Sequence, residues 1–341
     1  MQTGPGTAAA PVVLPTAYRP DIDGLRALAV CAVIAFHYDL GGRWSRAGFL
    51  GVDIFFVISG FLITQVLLRS SQTPDYLKNF YFRRARRILP ALVTLLITIT
   101  ILGMLLLVPS ELSSLGKHTF GGSFSVANVL YWNEAGYFDP SSVLKPLLHL
   151  WSLGIEEQFY LLWPLFILLI VRRRVSPFLP IFFVTVISFL YAISMSIANP
   201  TLAYYSPFTR GWELAAGGLV AVIPWVGSQS VHRIGSFAGA ALLSGSLLMF
   251  SGSDAWPSWG TLLPVVGSAL LLWGGQTDSA PTRFLGTRPL VWIGLISFSL
   301  YLWHWPLWSF YNIILGQEPT RCLNLSYSSS HFSFPLAVSS S

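Results

Sequence analysis

The chain has 341 residues, 53% of them hydrophobic and only 10% charged, with a mean hydropathy of +0.62. A water-soluble domain carries about 25% charged residues, so a soluble core with a charged shell is excluded. The net charge of +6 is read as arginine-rich loops beside a bilayer, with no nucleic-acid partner expected.

Residues 1–18 are rich in Ala, Pro and Thr and lack both a basic flank and an apolar run. They are expected to be a disordered lead rather than a secretory signal. A crossing helix needs about 20 apolar residues. Spans are expected at 24–40, 49–68, 89–108, 149–171, 178–198, 211–227, 234–251, 259–274 and 290–315. A tenth candidate, 119–132 (TFGGSFSVANVLYW), is short and rich in Gly and Ser. If it does not cross and the N-terminus is cytoplasmic, 14 of the 20 Lys and Arg fall inside; if it crosses, only 11 do. Cytoplasmic loops collect basic residues, which favours a re-entrant or interfacial segment, with 109–148 roofing a cavity. The expected fold class is thus all-α, a polytopic transmembrane helical bundle of about 9–10 helices. Residues 19–315 form its membrane domain and 316–341, dense in serine, an unstructured tail. The two cysteines, Cys31 and Cys322, suggest neither a disulfide framework nor a metal site.

Ionisable residues inside spans are costly, roughly 2.5–3.5 kcal/mol even on a lenient scale, and need a reason. Arg26 opens the first span and His37 ends it. Eleven residues separate them by about 16 Å, three turns along one helix face. Asp53 begins the second span as an interfacial carboxylate, a counter-ion for His37 or a chemical group. In LHLWSLGIEEQFY (148–160), His149 is expected near the outer surface and Glu156 and Glu157 about two turns deeper. Two carboxylates facing lipid are implausible, so at least one is expected to be functional. Glu213 follows Arg210 by three residues, the spacing of a structural ion pair. His304 is flanked by tryptophans and is expected at an interface, while His118, His232 and His331 are read as loop residues. Gly235 and Gly239 have the spacing of a close helix contact. The run YFRRARRILP (81–90) serves topology and anionic lipid, or grips a phosphorylated donor through guanidinium forks. A wet intramembrane site with a basic mouth fits an acyltransferase. It equally fits a proton-coupled transporter or flippase.

The segments YRPDIDGLRALAV…FH, GFLGVDIFFVISGFLIT, FYFRRARRILPAL, GYFDPSSVLKPLLHLWSLGIEEQFYLLWP, RGWELAAGG and SFSLYLWHWPL resemble, in order, the acyltransferase-3 family of bacterial membrane O-acyltransferases, the O-antigen acetylase type. The resemblance covers about 18–312. It implies a multi-pass bacterial inner-membrane enzyme moving an acyl group, usually acetyl, from cytoplasmic acyl-CoA to a hydroxyl of an envelope glycan or lipid-linked saccharide. O-antigen, peptidoglycan, exopolysaccharide, nodulation-type oligosaccharide and macrolide-like acceptors are all compatible with it. Acetyl-CoA is then the donor and no metal is implied. The family's Arg-x10-His pattern falls on Arg26 and His37, and its Glu-Glu pair on Glu156 and Glu157. Its Arg-x-x-Arg feature falls on Arg83 and Arg86 or equally on Arg84 and Arg87. His37 becomes the expected catalytic base or acyl carrier, oriented by Asp53, Glu156 or Glu157, and the arginines the expected CoA-phosphate site. The resemblance stops short of a last helix and of an appended esterase-like domain, so the chain is expected to be C-terminally truncated, and a weakly active or inactive product is the alternative to a working acyltransferase.

Overall fold

The computed structural model describes residues 18–71, 73, 75–135, 142–224 and 227–315, and the described residues contain no strand. The expected tail and most of the expected lead lie outside them, as do Cys322 and His331. Helix α1 (Pro20–His37) is followed by a 3₁₀ turn (Ser45–Leu50) that runs into α2 (Gly51–Ser70). Next come α3 (Tyr76–Leu106), the short α4 (Pro109–Ser123) and α5 (Ala127–Glu134), and α6 (Leu150–Arg172). The second half holds α7 (Phe178–Ala198), α8 (Pro200–Tyr205), α9 (Pro207–Val222), α10 (Gln229–Met249), α11 (Leu262–Gly274), α12 (Ala280–Leu285) and α13 (Arg288–Leu315).

Among the described residues, five helices are long and apolar enough to cross a membrane: Ser45–Ser70, Tyr76–Leu106, Leu150–Arg172, Phe178–Ala198 and Arg288–Leu315. The molecule is therefore a polytopic helical membrane bundle, but fewer spans stand out than the nine expected. The other four expected spans coincide with α1, α9, α10 and α11. Asp21, Asp23 and Arg26 make α1 polar at its start, and α10 carries His232, Arg233 and several Ser and Gly. At 16 and 13 residues, α9 and α11 are short. The debated 119–132 is divided between α4 and α5, broken where Ser125 adopts φ 56°. Neither piece alone spans about 30 Å of hydrocarbon at 1.5 Å per residue.

The outward apolar residues of α3 (Ile97, Ile101, Met104) and α7 (Phe183, Ile187, Ile197) are exposed, as a lipid-facing surface requires. Inside, α2 lies so close to α9 that glycine is needed on both sides. A methyl at Gly60 would land on the Leu214 carbonyl oxygen, and one at Gly217 on that of Val57. Small residues let backbones approach in a medium that offers no hydrophobic drive between helices. The same logic explains Gly239, which faces the Gly267 carbonyl of α11, and Gly235, which faces Trp273.

Candidate active site

Where α2, α3, α6 and α13 converge beside Arg26 of α1, they enclose a cavity of about 280 Å³. Its walls are largely apolar, with Phe55, Leu62 and Ile63 from α2 and Phe80 and Ile88 from α3. Its polar groups arrive in register. On α6, Ser152, Glu156 and Tyr160 recur every four residues and all line it, as the helical period dictates. Ser297 and Tyr301 do the same on α13, and α2 adds Ser59. Arg83, Arg84 and Arg87 of α3 form a basic rim, and Arg26 joins them while lying 3.3 Å from Asp23.

The two adjacent glutamates part company here. Glu156 accepts hydrogen bonds from the Ser59 and Tyr160 hydroxyls inside the cavity. Glu157 lies outside the lining, 3.6 Å from the Arg84 guanidinium. That guanidinium also stacks on the Tyr160 ring, 3.8 Å from its centroid. Arg86 turns away from the cavity and lies 5.7 Å from the Phe82 ring.

His37 is not part of this lining. It sits at the end of α1, half-buried, with its Nδ1 2.9 Å from Nε2 of His304 and the two rings nearly parallel at 14°. Trp305 meets the His37 ring edge-on at 4.6 Å, its own Nε1 donating to the Lys145 carbonyl at 2.8 Å. A third imidazole, His149, packs 5.8 Å from His304. It is buried, and neither of its ring nitrogens meets a hydrogen-bond partner among the described residues. The cluster and the cavity meet at one pair of hydroxyls. Ser152 and Tyr301 line the cavity with oxygens 2.5 Å apart, and the Tyr301 hydroxyl donates to the His149 carbonyl at 3.1 Å.

Several expectations change. Among the described residues no carboxylate is found hydrogen-bonded to His37, whose Nδ1 meets His304 instead. Asp53 is instead buried against Arg210, which also meets Glu213 at 3.0 Å as the spacing of those two residues suggested. Trp256 donates to Asp53 as well, at 3.3 Å. Asp53 is committed there because α2 and α9 cross at their glycines, which brings residues 157 apart into contact. His304 and His149, expected near a surface, are both buried. His118 is not in a loop but buried in α4, 2.9 Å from Glu134, which also takes Lys145 at 3.2 Å. His232 lies in α10 against Trp273. The hydroxyls Ser59, Ser152, Tyr160 and Tyr301 were not singled out from the sequence. The four-residue recurrence within LWSLGIEEQFY was the available signal.

An arginine rim, a largely apolar cavity with one carboxylate, and an imidazole cluster joined to it through the Ser152 and Tyr301 hydroxyls are what this part of the bundle brings together. The chain belongs to the acyltransferase family, whose model, described as an acyltransferase domain, matches residues 19–338. That match continues past 315 into the segment expected to be an atypical tail. The peptidoglycan O-acetyltransferase OatA of Listeria monocytogenes is 35% identical over 312 residues, covering 85% of this chain and 49% of its own. The putative peptidoglycan O-acetyltransferase YrhL of Bacillus subtilis is 34% identical over 319 residues, covering 85% and 48%. The O-acetyltransferase OatA of Staphylococcus aureus is 34% identical over 327 residues, covering 89% and 53%. The chain thus spans about half the length of these curated relatives. No solved structure matches it.

Proposed function

We propose that this chain is an integral-membrane O-acyltransferase that moves an acetyl group from acyl-CoA to a hydroxyl of a peptidoglycan glycan. The observation that carries the reading is the arginine-rimmed cavity whose Ser152 and Tyr301 hydroxyls connect it, through the His149 carbonyl, to the imidazole cluster of His149, His304 and His37. Membership of the acyltransferase family supports the reaction type. The names of the relatives favour peptidoglycan over the O-antigen acceptor that the resemblance also allowed.

In this reading Arg26, Arg83, Arg84 and Arg87 hold the donor's phosphates, for which guanidinium forks are suited. A cavity of about 280 Å³ is at the lower edge of the usual range for small-molecule sites. It suits a slender thioester arm, with the nucleotide left at the rim. The rim then faces the cytoplasm, as the basic-residue count favours, and the histidine end faces the envelope.

His37 is the general base. It takes the proton of the acceptor hydroxyl as that oxygen attacks the thioester carbonyl. The tetrahedral adduct collapses, the C–S bond breaks, and the CoA thiolate recovers the proton. Such base help contributes about 10²–10⁴-fold. The test uses the purified chain in proteoliposomes, with radiolabelled acetyl-CoA on the arginine side and peptidoglycan fragments on the other. Label should pass to the glycan with release of CoA in the wild type and not in His37→Ala. Transfer at wild-type rate in that variant would sink the base assignment. Uptake of substrate without consumption of acetyl-CoA would favour a transporter instead.

A further inference from the structure

His304 makes two hydrogen bonds whose directions are not free. Its Nδ1 lies 2.6 Å from the carbonyl oxygen of Tyr301. A carbonyl can only accept, so Nδ1 carries a proton. A neutral imidazole has one N–H, which leaves Nε2 as a bare lone pair. That lone pair faces Nδ1 of His37 at 2.9 Å, so His37 must donate from Nδ1. Its single proton is then used, and its Nε2 is left unprotonated. A cationic His304 would reverse the second bond. Its ring, however, is surrounded by His37, His149, Tyr301 and backbone carbonyl, with no acid among them, and a buried unpaired charge is costly.

We infer that His304 is a positioning residue of the transfer reaction: through its Nε2 it fixes His37 in the tautomer whose Nε2 is the base. The inference rests on the reading of His37 as base given above. The arrangement is held from several sides. The Tyr38 hydroxyl donates to the His304 carbonyl at 2.8 Å. Trp305, the next residue on α13, packs edge-on against His37 and is itself anchored to the Lys145 carbonyl. When His37 takes a proton on Nε2, its bond to His304 becomes charge-assisted and strengthens, so the pair favours the protonated intermediate as well as the correct starting tautomer. In the serine-protease triad the wrong tautomer lowers kcat by about 10⁴, which sets the scale.

Two polar substitutions separate positioning from packing. The amide nitrogen of an asparagine reproduces Nδ1 and its bond to Tyr301, but the side chain is too short to meet His37. The amide oxygen of a glutamine reaches the place of Nε2 and can accept from His37. In the proteoliposome acetyl-transfer assay, His304→Gln should stay within about tenfold of wild-type kcat. His304→Asn should lose about 10²–10⁴-fold. KM for acetyl-CoA should change by less than about twofold in both, since neither touches the arginine rim. Equal activities, or a more active Asn variant, would overturn the inference. His37→Ala is measured alongside. If it transfers acetyl normally, the base reading itself fails. If it is inactive while Asn and Gln are alike, only the role of His304 falls.

Discussion

Arg86 and Arg87 are neighbours in sequence with identical chemistry, and the structure separates them. On an α-helix at about 100° per residue, Arg83, Arg84 and Arg87 fall within an arc of about 100°, and Arg86 lies about 60° outside it. The first three line the cavity, and Arg86 is turned to Phe82. A hydrogen bond to a charged group is worth about 1.5–3 kcal/mol. Arg87 is exposed at the rim, so the lower end applies, and about 1.5 kcal/mol corresponds to roughly tenfold in affinity. Arg87→Ala should therefore raise the apparent KM for acetyl-CoA about tenfold, with kcat little changed. Arg86→Ala should raise it by less than about twofold. The assay is CoA release against donor concentration at about 0.15 M salt, where the Debye length is about 8 Å and the general attraction of a distant charge is screened. Equal shifts in the two variants would refute the reasoning. They would mean that the run acts as a diffuse basic patch rather than as a shaped phosphate site.

Three further outcomes are expected. Glu156→Gln should lower kcat/KM for acetyl transfer about tenfold or more, and Glu157→Gln by less than about threefold, because only Glu156 lines the cavity, where it accepts from Ser59 and Tyr160; similar losses in the same assay would contradict the assignment. Arg210→Met should destabilise the bundle by about 3–5 kcal/mol, the cost of leaving a buried charge without its partner, and adding Asp53→Asn and Glu213→Gln should recover most of it. Thermal melts of the single and triple variants in detergent check this, and a single variant that melts like wild type counts against it. Gly217→Ala should cost about 1–3 kcal/mol or more, read as a lowered melting midpoint, since its methyl would meet the Val57 backbone oxygen, which cannot turn aside as a side chain can.

The membrane bundle was legible because composition is a property of the whole chain and needs no partner. So was the Arg210–Glu213 pair, whose members are one helical turn apart. The site was only half legible, for a physical reason. An ionisable residue in a span must be paired or must face a wet cavity, and which of the two applies depends on how helices cross. Asp53 reads like a site residue in GVDIFF, yet it is spent on Arg210 because Gly60 and Gly217 let α2 and α9 touch. Glu156 and Glu157 are indistinguishable as letters, and a rotation of about 100° between them sends one into the cavity and the other to Arg84.

His304 was the hardest to see. Its tryptophan neighbours resemble an interfacial belt, and its partner lies 267 residues away. Helices α1 and α13, first and last in the described bundle, lie together with Gly294 set against the Asp23 carbonyl, and the same packing runs on to His37 and His304. The α1–α13 packing thus serves both ends of the site, since α1 carries Arg26 of the rim as well as His37, and α13 carries Ser297 and Tyr301 of the lining as well as His304. A substitution that loosens α1 from α13, such as Gly294→Ala, should accordingly depress kcat and raise the donor KM together in the CoA-release assay, because Asp23, opposite Gly294, also holds Arg26 of the rim. A loss of kcat with the donor KM unchanged would mean that Arg26 does not depend on this packing to hold the donor.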